Sequence, residues 1–120
     1  MTQPPHLREL TPKEVHDGLA HHSLTLVDVR EAAEFAAERI HGALLYPLST
    51  FDPATLPMDP ARPVVFQCGT GKRSAMAAQR CAQAGVPIST HLAGGLAAWK
   101  HAHFPTIQID PRTGAVVDRK

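Results

Sequence analysis

Short apolar runs alternate along the chain with longer segments of good helix formers. Apolar runs bounded by turn residues are typical of buried strands, and they occur at residues 24–29, 43–46, 64–66 and 88–92. The flanking segments favour helix, at residues 12–20, 31–39, 74–84 and 96–102. This alternation predicts the α/β class, a parallel sheet covered by helices on both faces.

Several element boundaries carry specific signals. Thr11, Pro12 and Glu14 supply a capping hydroxyl, a first-turn proline and a carboxylate that can reach back to the cap, so a helix should begin at residue 12. Gly85 is a natural helix end. Residues 52–63 are rich in proline and predict a surface connection with room for one helical turn.

Residues 106–120 differ in character from the rest of the chain. They place apolar residues on either side of a turn-forming segment at residues 110–114, a pattern that fits a small hairpin. A flexible terminus fits the same residues equally well. The chain is therefore divided into a domain at residues 1–105 and a C-terminal extension at residues 106–120.

Size and composition favour one folded domain. The chain has 120 residues, of which 43% are hydrophobic and 19% charged, so it can bury a core. A net charge of +1 gives no electrostatic reason to expect a nucleic acid or membrane partner. The first residues lack the pattern of an export signal, and the two cysteines are too few for a disulfide scaffold. We expect a cytoplasmic protein with reduced thiols.

The strongest chemical signal is the segment Cys-Gly-Thr-Gly-Lys-Arg at residues 68–73, called the cysteine loop below. Its glycines can turn the chain so that backbone N–H groups point inward, and the helix that follows presents the positive end of its dipole. Two cations adjoin them. Because these features favour the charged form of a thiol, the sequence predicts Cys68 as the nucleophile. The residues predicted to bind the substrate are Gly69, Thr70, Gly71, Lys72 and Arg73.

The remaining cysteine and histidine residues carry weaker signals. Cys81 lies in a predicted helix, roughly 10 Å beyond the loop at the helical rise per residue, and is interpreted as inert core. The histidines at positions 21, 22, 101 and 103 show neither the helical i, i+4 spacing nor the cysteine partners of a zinc site. No metal or cofactor is therefore predicted. The sequence leaves open whether a histidine approaches Cys68.

The spacing between cysteine and arginine separates two families that cradle a thiolate. Arg73 is the fifth residue after Cys68. Phosphatases that form a cysteinyl phosphate place one more residue between the two, which widens the cradle to fit a phosphate. The shorter loop resembles that of rhodaneses, in which the cysteine accepts a sulfane sulfur and becomes a persulfide.

Two further segments extend the resemblance over roughly residues 10–105. Residues 26–43 contain Leu-Val-Asp-Val-Arg-Glu and, further on, Ile-His-Gly-Ala, and resemble the first shared segment of rhodanese domains; residues 94–105 resemble the third. The resemblance implies a three-layer fold with a mainly parallel five-stranded sheet. It also implies structural support, with an aspartate and an arginine tying strand to loop and two glycines bringing a second loop toward the cradle. The supporting residues are Asp28, Arg30, Ser74, Gly94, Gly95 and Trp99.

The chain departs from the family pattern at two turns. Glu38 and Arg39 stand where many members have glycine and histidine, and His103 stands where glycine often ends the final helix. A non-glycine residue resists positive φ, although histidine tolerates it better than most. Neither departure lies in the cysteine loop.

The resemblance implies a thiosulfate sulfurtransferase. Such an enzyme moves sulfur from thiosulfate or a related persulfide donor to cyanide, a thiol or a protein cysteine. Two alternatives stay open: a rhodanese-like module that binds a partner without catalysis, and a cysteine phosphatase or arsenate reductase, which the loop length disfavours.

Overall fold

A parallel sheet forms the centre of the structure, a computed structural model that describes residues 7–119. The strands of the described residues are β1 (Arg8–Leu10), β2 (Thr25–Asp28), β3 (Glu38–Arg39), β4 (Leu44–Leu45), β5 (Val64–Gln67), β6 (Thr90–Leu92), β7 (Thr106–Ile109) and β8 (Val116–Arg119). The helices are α1 (Pro12–Ala20), α2 (Ala32–Ala37), α3 (Lys72–Gln83) and α4 (Gly95–His101). Two short 3-10 helices, Leu48–Thr50 and Pro53–Thr55, lie in the connection before β5.

The central sheet has the strand order β1-β6-β5-β2-β4, and every pair in it is parallel. Apolar side chains fill both of its faces. On one face Val27, Val64 and Phe66 pack with α3, and on the other Leu26 and Val65 pack with α1 and α4. The predicted α/β fold, with helices on both faces of a five-stranded sheet, is confirmed.

Helix α1 shows how local sequence sets an element. The Thr11 hydroxyl accepts a hydrogen bond from the Glu14 amide at 3.1 Å, and the Glu14 carboxylate accepts one from the Thr11 amide at 2.9 Å. This reciprocal capping box satisfies two amides that the first helical turn leaves without partners. The helix spans residues 12–20 as predicted.

The prediction of a helix at residues 31–39 is wrong at its C-terminal end. Helix α2 stops at Ala37, and the next two residues form β3, which pairs antiparallel with β7. The Glu38 carboxylate also accepts hydrogen bonds from Thr106 at 2.7 Å and Lys100 at 2.9 Å. These partners lie more than sixty residues away in sequence, so tertiary pairing overrides local helix preference here.

The C-terminal residues form an antiparallel pair, β7 and β8, in which Ile109 lies opposite Val116. Strand β7 also pairs with β3, so the hairpin belongs to a second, three-stranded sheet, β3-β7-β8. The division of the chain at residue 105 stays a prediction. No helix among residues 7–119 is long and apolar enough to cross a membrane.

Candidate active site

Cys68 follows β5 at the carboxyl end of the central sheet and precedes α3. Gly71 caps α3 with a φ of 102°, a left-handed conformation that glycine adopts at low cost. The turn aims two amides at the sulfur: Cys68 Sγ accepts hydrogen bonds from the Gly71 N–H at 3.1 Å and the Ser74 N–H at 3.3 Å. The sulfur therefore lies at the N-terminal end of α3, where amides and helix dipole favour negative charge.

Four other backbone amides of the cysteine loop do not donate to the sulfur. Among the described residues, the structure records no acceptor for the N–H groups of Gly69, Thr70, Lys72 or Arg73. Helix α3 begins at Lys72, two residues before the predicted start, so both cations belong to its first turn. Cys68 itself is 1% exposed, and the binding of an anion by these amides stays a prediction.

The start of α4 fixes the position of the cysteine loop. The Cys68 carbonyl accepts hydrogen bonds from the Leu96 N–H at 2.8 Å and from the Gln67 side-chain amide at 2.7 Å. The Gly69 carbonyl accepts from the Ala97 N–H at 3.0 Å. These bonds hold the loop against a rigid helix, which keeps the sulfur where β5 places it.

Two glycines make this contact possible. Gly95 has a φ of 60°, and a Cβ at this position would overlap the Cys68 carbonyl oxygen and lie 2.7 Å from the Gly69 carbonyl carbon. Gly94 has a φ of 74°, and its backbone nitrogen would lie 3.3 Å from a Cβ built on Gly71. The absence of a Cβ on Gly95 and on Gly71 therefore allows the two backbones to approach, and Gly94 adopts the left-handed conformation before α4.

Arg73 is paired with an acidic residue that sequence reasoning did not assign to the site. Its guanidinium donates two hydrogen bonds to the carboxylate of Glu34 in α2, at 2.7 and 3.0 Å. The hydrogen bond from Arg73 lowers the pKa of Glu34 from 4.5 to about 2. The same bond raises the pKa of Arg73. Arg73 thus offers the loop a partly neutralised charge, while Lys72 is exposed and has no ion-pair partner among the described residues.

Asp28 and Arg30 form a buried ion pair. Arg30 Nη2 lies 2.9 Å from the Asp28 carboxylate. Arg30 is 5% exposed and Asp28 is 0% exposed. Arg30 also donates to the carbonyl of Glu38. These side-chain hydrogen bonds connect the end of β2 to β3, and the structural role that the resemblance implies for the pair stays a prediction.

Trp99 anchors the last helix. Its indole Nε1–H donates to the Pro105 carbonyl at 2.8 Å, and its ring contacts Phe104 with centroids 5.1 Å apart. His103, between them in sequence, has a φ of 65°, the conformation that glycine often provides at this turn. The substitution by histidine is consistent with that geometry because histidine tolerates positive φ.

A histidine does approach the cysteine, which the sequence left open. His91 in β6 lies 2.7 Å from the hydroxyl of Ser74, which is itself 3.6 Å from Cys68 Sγ. Sequence reasoning missed His91 because the contact depends on the pairing of β5 with β6. The His91 side chain also borders a cleft of about 670 Å³, whose lining includes Glu9, Thr70, Lys72, Met76 and Gln79.

The other candidate groups lie outside this arrangement. Cys81 is 0% exposed within the apolar cluster beneath α3, and burial raises the pKa of its thiol to about 11. In the part of the chain that the structure describes, no three His, Cys, Asp or Glu side chains come together to hold a metal ion.

The sequence matches the family model of the rhodanese-like domain over residues 11–102. It is 39% identical over 99 residues to an uncharacterised protein of Synechocystis sp., and 40% identical over 95 residues to a probable adenylyltransferase/sulfurtransferase, MoeZ, of Mycobacterium tuberculosis. These alignments cover 82% and 75% of this chain. They span only 55% and 24% of the two relatives, which are longer proteins.

Solved structures show the same fold. A thiosulfate sulfurtransferase of Pseudomonas aeruginosa superposes with a TM-score of 0.72 and 26% identity over 82% of this chain and 19% of that one. A rhodanese-related protein of Thermoplasma volcanium superposes with a TM-score of 0.70 and 25% identity over 82% of this chain and 96% of that one. With its cysteine loop, its glycine contact and a family match over most of its length, this chain belongs to the rhodanese-like domain family.

Proposed function

We propose that this protein transfers a sulfane sulfur through a persulfide on Cys68. The observation that carries the proposal is the cradle itself. Cys68 Sγ receives two amide hydrogen bonds, and four more amides of the loop lack an acceptor among the described residues. Such donors stabilise an anion at the sulfur and leave room for the charge of a second sulfur atom.

The reaction runs in two displacements. The Cys68 thiolate attacks the outer sulfur of thiosulfate, a new sulfur–sulfur bond forms, and sulfite leaves with the electrons of the old one. An acceptor such as cyanide, a low-molecular-weight thiol or a protein cysteine then attacks the outer sulfur of the persulfide, and Cys68 leaves as a thiolate. No redox cofactor enters this balance.

Lys72 and Arg73 have different roles in binding the donor. Lys72 is exposed at the edge of the cleft and can attract an anionic donor before it reaches the sulfur. Arg73 is fixed by Glu34, so it is oriented with little loss of side-chain freedom on binding. The similarity to a probable sulfurtransferase of M. tuberculosis and to a thiosulfate sulfurtransferase fold supports this chemistry.

Incubation with thiosulfate followed by intact mass spectrometry tests the proposal. We expect the wild type to gain one sulfur atom, to lose it on addition of cyanide, and to form thiocyanate. Cys68→Ser should abolish both signals, and Cys81→Ser, a matched change at the other buried thiol, should retain them. No sulfur adduct on the wild type with either thiosulfate or an organic persulfide would overturn the proposal, and hydrolysis of an aryl phosphate would point instead to phosphatase chemistry.

A further inference from the structure

A chain of hydrogen-bonded side chains runs from the buried sulfur to the protein surface. Cys68 Sγ lies 3.6 Å from Ser74 Oγ, Ser74 Oγ lies 2.7 Å from His91 Nδ1, and His91 Nε2 lies 3.1 Å from Glu9 Oε2. The first three residues are 1%, 0% and 2% exposed, whereas the Glu9 side chain is 56% exposed. The sulfur is therefore linked to solvent through two buried polar groups.

The fold brings these residues together from three elements and the loop after β5. Ser74 lies in the first turn of α3, His91 in β6 and Glu9 in β1, where the register pairs Glu9 with His91. Leu92 packs into the core on the α1 and α4 side of the sheet. Because side chains alternate along a strand, His91 faces the opposite side, toward α3 and the cysteine loop.

Two arrangements of the hydrogens connect the sulfur continuously to the imidazole and to Glu9. In the first, the Cys68 thiol donates to Ser74 Oγ, the Ser74 hydroxyl donates to His91 Nδ1, and His91 Nε2–H donates to Glu9. In the second, the Ser74 hydroxyl donates to the sulfur, His91 Nδ1–H donates to Ser74 Oγ, and Nε2–H still donates to Glu9. The two arrangements contain the same number of protons. In the second, one proton has in effect moved from the sulfur to the imidazole.

We propose that His91, acting through the Ser74 hydroxyl, takes up the Cys68 proton and so generates the thiolate. The S–H bond and the original O–H bond of Ser74 break, while a new O–H bond and an Nδ1–H bond form, so Ser74 ends unchanged. The products are a thiolate and an imidazolium. His91 touches neither the sulfur nor a substrate, so it is a positioning residue.

Charged groups lie at both ends of this ion pair, and they act in opposite directions at the imidazolium. Glu9 lies at the imidazole Nε2, while Lys72 and Arg80 line the same cleft as His91 and disfavour an imidazolium. On the sulfur side, Arg73 interacts electrostatically with Cys68 and is paired with Glu34. The N–H groups of Gly71 and Ser74, which donate to the sulfur, favour the thiolate further.

A purely structural role for His91 makes a different prediction. Ser74 Oγ also lies 3.1 Å from the Gly71 carbonyl, so the hydroxyl could donate there while the imidazole merely holds it in place. An asparagine at position 91 could still hold Ser74, since its amide can donate or accept, but it cannot take up a proton. The variant His91→Asn therefore separates the two roles.

The test is the pH dependence of Cys68 alkylation by iodoacetamide, in a Cys81→Ala background so that only one thiol reports. At about pH 6.5 we expect His91→Asn to react about tenfold more slowly than its parent, and to recover toward about pH 8.5, where an ordinary thiol ionises. Ser74→Ala should slow alkylation too, and adding His91→Asn to it should have little further effect. The exposed His101→Asn is the matched control and should leave the profile unchanged.

Thermal unfolding and circular dichroism establish that each variant is folded. If His91→Asn does not fold, Glu9→Gln decides, because its position is more than half exposed: we expect a shift of the alkylation profile in the same direction, about threefold at pH 6.5 and smaller in high salt. A folded His91→Asn, or failing that a folded Glu9→Gln, with the parent profile would overturn the proposal.

Any effect of the relay on sulfur transfer rests on the proposed function. The alkylation test does not, because it needs only a reactive thiol. If His91→Asn shifts the alkylation profile but the wild type takes no sulfur from any donor, the proton relay stands and the proposed function fails. If sulfur is transferred and His91→Asn has the parent profile in both assays, the proposed function stands and the relay fails.

Discussion

The two cysteines are both buried, yet their surroundings differ in the feature that controls thiol chemistry. Cys68 precedes α3 and receives two backbone N–H groups on its sulfur. Cys81 lies near the end of the same helix among apolar side chains, and burial raises its pKa to about 11. We therefore expect the two thiols to differ in reactivity although both are buried, because only Cys68 has amides directed at its sulfur and lies at the N-terminal end of the helix.

Selective labelling should show the largest difference between the two thiols. With a pKa of about 11, Cys81 is about one part in a thousand thiolate at pH 8, before any effect of limited access. After brief treatment of the native protein with iodoacetamide, peptide mass spectrometry should find the adduct on Cys68. In denaturant the two cysteines should react at similar rates. Equal labelling in the native protein would show that the cradle has no effect on reactivity.

Substitutions of glycine should show that the unfolding free energy depends on close backbone contact near Cys68. Near Cys81, it should not. Gly95→Ala places a Cβ against the Cys68 and Gly69 carbonyls at positive φ, and we expect a loss of about 3 kcal/mol of unfolding free energy in urea. Sulfur loading should fall with it.

Gly85→Ala is the matched control for Gly95→Ala. Its φ is 73°, but a Cβ there has no neighbour within 4 Å, so only the backbone conformation contributes and the expected loss is about 1 kcal/mol. Sulfur loading should be retained. Similar losses for the two variants would mean that the contact of Gly95 with the cysteine loop contributes little.

The features that the sequence predicts are those that neighbouring residues determine. The capping box of α1, the strand before Cys68 and the glycine-rich turn after it are all set by neighbouring residues, and the structure has them close to the predicted positions. The family resemblance added the contact between the glycine pair and the cysteine loop. Together they predicted the fold class and the surroundings of Cys68.

The remaining site contacts depend on strand and helix positions that no local pattern encodes. Glu34 meets Arg73 across 39 residues, and Glu9 meets His91 across 82. Strand β1, which carries Glu9, has only three residues and was not predicted because so short an element gives little periodic signal. Local composition favours helix at Glu38 and Arg39, and that prediction fails because their strand partner lies in the C-terminal hairpin.

Truncation of the second thiol should separate stability from activity. Cys81→Ala removes a buried sulfur from the apolar cluster, and we expect a loss of about 1–2 kcal/mol in urea unfolding because a small cavity is left. Thiocyanate formation should equal that of the wild type at a temperature where both are folded. A decrease in the rate with no loss of sulfur loading would show that packing beneath α3 affects the second displacement.

The smallest effect should come from the ion pair between Glu34 and Arg73, the residue that ends the cysteine loop. Glu34→Gln keeps a hydrogen-bond acceptor for Arg73 but removes the charge, and we expect it to cost under about 1 kcal/mol near pH 7. The bond is short, but the Glu34 side chain is 41% exposed, so solvent screens the pair. Asp118→Asn, at an exposed carboxylate with no ion-pair partner among residues 7–118, is the control and should cost less.

The pH dependence gives this small effect a recognisable sign. The pKa of Glu34 in the folded protein, about 2, is below its ordinary value of 4.5, so its contribution to stability is fully present above pH 4.5 and is lost as the pH falls toward 2. The difference in unfolding free energy between wild type and Glu34→Gln should therefore shrink across that interval. A difference that is the same at pH 7 and pH 3 would show that the amide perturbs packing around Arg73, because an effect of charge must already be reduced at pH 3, where the carboxylate of the unfolded chain is protonated.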